Sequence, residues 1–166
     1  MKNIILFIAL ILIFTACSDT ANTNKPAEKP QKVMLDKAFA SMFENIEVVK
    51  MHFYSTMDSD MKDYPYVGNR VDEVYFESLD ESLLENSEQG IFATYRVQND
   101  YYVLRVPNRE FSNKLVLCGV DDKTGKLKEI EVLASAGCRT DRCHQRDAWL
   151  DDLDLDKELE LIIRSR

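Results

Sequence analysis

IFATYRVQNDYYVLRVP, residues 91–107, and KLVLCGVDDKTGKLKEIEVL, residues 114–133, carry the clearest structural pattern in the chain. Both are apolar runs, the first rich in β-branched and aromatic residues and the second in Leu, Val and Ile, and each is broken by a polar turn. The breaks are Gln98-Asn99-Asp100 in the first and DDKTGK, with Gly125, in the second. Branched and aromatic side chains fit a pleated, half-buried surface, while Asn, Asp and Gly suit the turn. The two stretches read as two hairpins of an antiparallel meander. Downstream, Trp149-Leu150 and residues 159–163 read as two more short strands around an acidic loop.

Upstream the period changes. Leu35, Ala38, Phe39, Met42, Phe43 and Ile46 recur at helical spacing, which predicts a helix over residues 34–45 with one buried face. IEVVKMHFYS, residues 46–55, either extends that helix or opens a strand. DSDMKDYPYVGNR, residues 58–70, is a loop by its Asp, Pro and Gly content. Residues 71–90 read as a short strand or turn, then a helix ending near Gly90. The expected fold is α+β: an N-terminal helix or helices packed on an antiparallel β meander, in a single domain.

The chain opens MKNIILFIALILIFTACSDT. Lys2 supplies a positive start, and residues 4–14 are an unbroken apolar run of 11 residues. That suits a signal peptide and falls short of the ~20 residues a membrane-spanning helix needs. Thr15 and Ala16 then precede Cys17. This resembles the lipobox of bacterial lipoproteins, with Phe14 where Leu is usual. The resemblance implies that residues 1–16 are a signal peptide cleaved before Cys17. It further implies that Cys17 is diacylated and N-acylated, so the lipid on Cys17 is the contact with the membrane. Ser18 after it implies sorting to the outer membrane, if the organism is Gram-negative. The competing reading of Cys17 is a buried thiol in an N-terminal helix. Residues 17–32 are polar with two prolines and read as a disordered tether, leaving 33–166 as one envelope domain. The formal charge of −8 argues against nucleic acid as a partner. An unidentified envelope protein or glycan is expected instead.

The chain ends WLDDLDLDKELELIIRSR, residues 149–166, with carboxylates at alternate positions: Asp152, Asp154, Asp156, Glu158 and Glu160. Calcium takes 6–8 oxygens, and carboxylates at every second residue can supply them if the backbone curls round the ion. The Glu158 backbone carbonyl is a candidate ligand in such a curl. The stretch resembles the D-x-D-x-D-G loops of FG-GAP and integrin-type repeats, and more distantly the EF-hand loop. The resemblance places the first, third and fifth carboxylates on Asp152, Asp154 and Asp156, the later acid on Glu160, and the following strand on Leu161-Ile162-Ile163. Leu155 and Lys157 stand where such loops usually have glycine, and the second of these positions often needs φ > 0. A metal-free acidic turn is the competing reading. Residues 91–166 also resemble a group of uncharacterised envelope proteins, which implies fold and loop but no activity.

GCRTDRCH, residues 137–144, holds Cys138 and Cys143. An oxidising envelope favours a disulfide between them, with Cys118 a buried strand thiol. Cys118 paired with either one is the variant. Covalent haem on Cys138 and Cys143 with His144 as axial ligand, and zinc on Cys138, Cys143, His144 and Asp141, are the competing chemistries. Tyr64, Tyr66, Tyr75, Tyr95, Tyr101 and Tyr102 read either as core aromatics or as a carbohydrate platform. His52 reads as a packed or surface residue. Five unclustered glycines offer no phosphate loop, so no nucleotide is expected, and no catalytic constellation stands out. The functional expectation is a membrane-anchored lipoprotein carrying a binding or structural module, stabilised by calcium, and not an enzyme. The alternatives are a small envelope-polymer hydrolase or hydrolase accessory using acidic residues, and a single-haem c-type protein.

Overall fold

The computed structural model describes residues 34–47, 50–56, 63–85, 87, 89–98, 101–108, 113–139 and 142–166. Cys17 and the stretches expected to be a signal peptide, residues 1–16, and a tether, residues 17–32, lie outside the described residues. The elements in chain order are α1 (Lys37–Ala40), β1 (Glu44–Ile46), β2 (Lys50–Phe53), β3 (Asn69–Arg70), a 3-10 turn (Glu73–Ser78) and α2 (Glu81–Glu85). Six strands follow: β4 (Phe92–Val97), β5 (Tyr101–Arg105), β6 (Leu115–Val120), β7 (Leu127–Arg139), β8 (Arg142–Asp151) and β9 (Glu160–Ser165).

The α+β expectation, with N-terminal helices packed on an antiparallel meander, is overturned. The described residues are 48% strand and 13% helix, and the strands form one curled, mixed sheet. Its order is β1-β4-β5-β6-β7-β8-β2, with β3 also on β4 and β9 also on β8. The helix expected over residues 34–45 lasts four residues. Asp36 starts it, its Oδ1 accepting the amides of Ala38 at 2.9 Å and Phe39 at 3.0 Å. At the far end the Ser41 hydroxyl donates to the Ala38 carbonyl at 2.7 Å. A single turn gains few hydrogen bonds for the dihedrals it fixes, so a helix this short has little stability of its own. Glu44–Ile46 instead pairs parallel to β4, Glu44 opposite Tyr95 and Ile46 opposite Val97. The apolar spacing still has its effect, because Phe39 and Phe43 meet in the core with ring centroids 5.5 Å apart.

The stretch 46–55 closes β1 and supplies β2, which pairs antiparallel with the end of β8, Phe53 opposite Ala148. The N-terminal segment thus contributes strands to two distant parts of the sheet. Residues 71–90 are likewise broken up. They hold the 3-10 turn and the five residues of α2, and Gly90 turns the chain at φ 98° beyond that helix.

β4–β5 and β6–β7 are antiparallel hairpins. Gly125 turns the second one at φ 71°, and the Asp121 carboxylate accepts the amides of Lys123 and Thr124, each at 2.9 Å. β5 and β6 are buried on both faces, and alternation sorts their side chains. Tyr102, Leu104, Val116 and Cys118 join Phe39, Phe43, Leu79 and Leu83 on one side. Val103, Leu115 and Leu117 join Phe53, Tyr66, Leu133 and Leu150 on the other. Each fully buried Leu or Phe contributes about 1.5–3 kcal/mol.

The second cluster exists because β7 is long. Its first part pairs with β6 up to Ala134, and residues 135–139 then pair with β8. Register shifts along β6–β7 raise the local twist, as bulges do. β7 therefore carries the sheet round until β2, β8 and β9 cover the far face of β5 and β6.

Candidate functional site

β8 and β9 form a hairpin whose register ends at Asp151 opposite Glu160, and the acidic loop hangs from that pair. Leu155 and Lys157 both adopt left-handed backbone, φ 66° and 75°. That curl turns three side chains inward, so that one carboxylate oxygen from each of Asp152, Asp154 and Asp156 lies within 4.8 Å of the others. Loop amides hold them there. Lys157 N–H donates to Asp152 Oδ2 at 3.1 Å, Asp156 N–H to Asp154 Oδ1 at 3.3 Å, and Glu158 N–H to Asp156 Oδ1 at 2.8 Å. Glu160 spans the base of the loop, its Oε2 accepting the Leu153 amide at 2.8 Å. Glu158 is exposed. The carboxylates brought together are thus three of the five that alternate in the sequence.

Two observations bear on whether a cation fits. Oxygens sharing one calcium at 2.3–2.6 Å can lie no more than roughly 5 Å apart, and the three carboxylates meet that bound. Asp152 Oδ1 is buried and accepts no hydrogen bond among the described residues, although the second oxygen of the same carboxylate is satisfied by Lys157. A buried, unsatisfied carboxylate oxygen is costly, and a bound cation is one way to relieve it. The oxygen-only donor set suits a hard cation rather than a soft one.

Cys138 and Cys143 sit opposite each other in the β7–β8 pairing and are joined by a disulfide. Both sulfurs are spent, so neither is present as a thiol for haem or zinc. His144 lies exposed on β8, and Asp141 falls outside the described residues. Cys118 is fully buried, and burial, with Glu129 adding to it, pushes its thiol pKa up. A thiol held neutral is neither a nucleophile nor a ready metal ligand.

The tyrosines do not share a face. Tyr102 belongs to the first cluster, while Tyr64 and Tyr66 lie in the second, packed edge to face at 5.3 Å. Tyr75 stacks on Phe39 at 5.3 Å. His52 stacks flat on Trp149 at 4.4 Å, and the Arg164 guanidinium lies 5.0 Å from the same ring. This stack follows from register, since His52 and Ile162 both sit opposite Trp149.

Two buried charges escape sequence reasoning. Arg105 is 7% exposed, lies over the Phe92 ring at 3.8 Å, and donates through Nε and Nη2 to the Val67 carbonyl. Asp147 is 3% exposed and accepts from Arg164 at 2.9 Å, with Arg166 at 3.8 Å. For Arg105 the available signal was a single charge inside an apolar strand; Asp147 lies in a strand with several other charges and had no such signal.

A groove of about 930 Å³ opens beside α1, with Phe43, Tyr102 and Val120 among its apolar lining. Asp122 is the one carboxylate among its described lining residues. No family model, curated protein or solved structure matches the chain.

Proposed function

We propose that the protein is a membrane-anchored envelope lipoprotein whose domain is a binding or structural module, fastened by calcium in the β8–β9 loop. The anchor rests on Lys2, the apolar run at residues 4–14 and the Thr15-Ala16-Cys17 sequence. Several acyl chains, each contributing ~0.8 kcal/mol per buried CH₂, would give a stable attachment. The observation that carries the calcium reading is the convergence of Asp152, Asp154 and Asp156; beside it, Asp152 Oδ1 is buried and accepts no hydrogen bond from the described residues. An ion there would offset the mutual repulsion of the carboxylates and fix the turn that sets the β8–β9 register. In this reading the protein is not an enzyme.

Calcium titration of thermal unfolding tests this reading. Lys157 places a positive charge beside the carboxylates, so binding should be weak, with Kd ~10⁻⁴–10⁻³ M. At ~1 mM free calcium, linkage stabilises the fold by about 0.4–1.4 kcal/mol. For a domain of this size Tm should rise by roughly 1–6 °C. Asp154→Ala should abolish the rise. Equal shifts from calcium and from sodium chloride at matched ionic strength would mean that no site exists. The anchor has its own test: Cys17→Ala should move the protein from the membrane fraction to the soluble envelope fraction.

A further inference from the structure

We infer that β9 is the seat of a two-fold contact between two copies of this chain, the two strands pairing edge to edge in antiparallel register about Ile162. The inference goes beyond the calcium reading and needs neither an ion in the acidic loop nor a lipid on Cys17.

β9 is an open edge. Gln145 and Arg166 exchange both backbone hydrogen bonds, each at 2.9 Å. The register runs on from that pair without a shift, so Arg164, Ile162 and Glu160 also turn their amides and carbonyls toward β8. Leu161, Ile163 and Ser165 therefore turn theirs away from it, and among the described residues no second strand lies beside β9 to receive them. Elsewhere the borders of the sheet are closed off. β1 and β3 are three and two residues long. Along β2 the His52 carbonyl accepts the Tyr66 hydroxyl, and the Tyr54 carbonyl just beyond the strand accepts the Tyr64 hydroxyl at 3.2 Å. Short or covered edges keep a sheet from growing, whereas β9 offers six residues with no proline and no bulge.

The occupant follows from the sequence of that edge, Glu160-Leu161-Ile162-Ile163-Arg164-Ser165. An added strand must set its outward residues opposite those of β9. A second β9, antiparallel and centred on Ile162, sets Leu161 opposite Ile163 and Glu160 opposite Arg164, each pair twice by symmetry. Ile162 then meets Ile162 of the second copy on the axis. Opposite charges and apolar side chains facing each other both stabilise a strand pair. The match is one of charge sign along the strand, acidic at its start and basic toward its end. Neither residue has to leave the partner it has, since Arg164 keeps Asp147 and Glu160 keeps the Leu153 amide. Centred one residue later, Ile162 would face Arg164, and centred on Arg164, two guanidinium groups would meet. In-register parallel pairing would set Glu160 beside Glu160 and Arg164 beside Arg164. Ile162 is 40% exposed, and Leu161 and Ile163 are partly buried, so the contact covers apolar surface that one copy leaves in water. One patch serving both copies is the isologous arrangement of closed dimers.

Cysteine cross-linking tests the contact and its register. All arms use the full chain with Cys17→Ala, in neutral detergent with micelles in large excess over protein and with chelator present. Of the other cysteines, Cys118 is buried and Cys138 is joined to Cys143. Facing residues of a non-hydrogen-bonded pair have Cα atoms about 4.5 Å apart, within the span a disulfide bridges. Under diamide, Ile162→Cys should therefore form a covalent dimer on non-reducing gels, roughly tenfold or more faster than Ile163→Cys or Arg164→Cys. Without oxidant, sedimentation should show the Cys17→Ala chain as a dimer whose dissociation constant rises with sodium chloride, because salt screens opposite charges. Ile162→Lys should raise that constant roughly tenfold or more, since two lysines would meet on the axis. Its Tm should stay near that of the parent, because the side chain is partly exposed. A chain that is monomeric at every concentration, a dimer that salt tightens, or Ile163→Cys or Arg164→Cys cross-linking as fast as Ile162→Cys overturns the inference. None of these results touches the calcium reading, which stands or falls by its own titration.

Discussion

Leu155→Gly should make the protein more stable, although leucine to glycine ordinarily destabilises. The reasoning starts from backbone, not side chain. Leu155 has φ 66° and is 82% exposed, so truncating it removes almost no packing. A residue with a Cβ in the left-handed region costs about 1–2 kcal/mol, and glycine relieves that. Against the gain stands glycine's greater freedom in the unfolded chain, about 0.4–1 kcal/mol. The net is a stabilisation of roughly 0.5–1 kcal/mol, or about 1–4 °C in Tm for a domain of this length. Thermal unfolding followed by far-UV circular dichroism, in chelator so that metal plays no part, measures it. Leu155→Ala is the control. It deletes the same exposed side chain but keeps the Cβ, so its Tm should move by less than half as much. If alanine matches glycine, or if glycine lowers Tm, the loop does not adopt the curl that gathers Asp152, Asp154 and Asp156, and the cation reading loses its geometric basis.

Alkaline pH should destabilise the fold in a particular window. Burial raises the Cys118 thiol and the Tyr64 and Tyr66 phenols above their ordinary values. The stability they contribute is therefore full below the unfolded values, about 8.5 for the thiol and about 10 for the phenols, and is lost as pH rises toward the folded ones. Urea midpoints should fall from about pH 8.5 upward, and native absorbance at 295 nm should show fewer than the chain's seven tyrosines ionising near pH 10. In the folded state Cys118 should resist a thiol reagent that labels it at once in urea. Double substitution Cys138→Ser with Cys143→Ser should lower stability by no more than about 2 kcal/mol, because the disulfide closes a short loop at a hairpin end; a larger loss in urea titrations would contradict that estimate. Leu104→Ala, at a fully buried position between strands, should cost about 2–5 kcal/mol by the same method.

Residues 91–133 were legible because their information is local. Branched and aromatic side chains, broken by Asn-Asp and by Gly125, specify extended chain and turn wherever they occur. The alternate carboxylates from Asp152 to Glu160 were legible as a pattern for the same reason, and so was the proximity of Cys138 to Cys143. The N-terminal third was not. Leu35, Phe39 and Phe43 have helical spacing, yet that spacing only requires that their side chains meet. One turn of helix followed by a strand beside β4 achieves the meeting and adds backbone hydrogen bonds with a segment far along the chain. The groove was invisible for a similar reason, since Ile130 and Gly119 mean nothing together until the β6–β7 register leaves one of them in a bulge above the other. By itself the sequence determined which segments of the sheet are extended, where they turn and which residues must avoid water. Tertiary structure decided which strands are neighbours, which carboxylates face one point and where the sheet curls, because those depend on pairings between distant segments whose energies no local window contains.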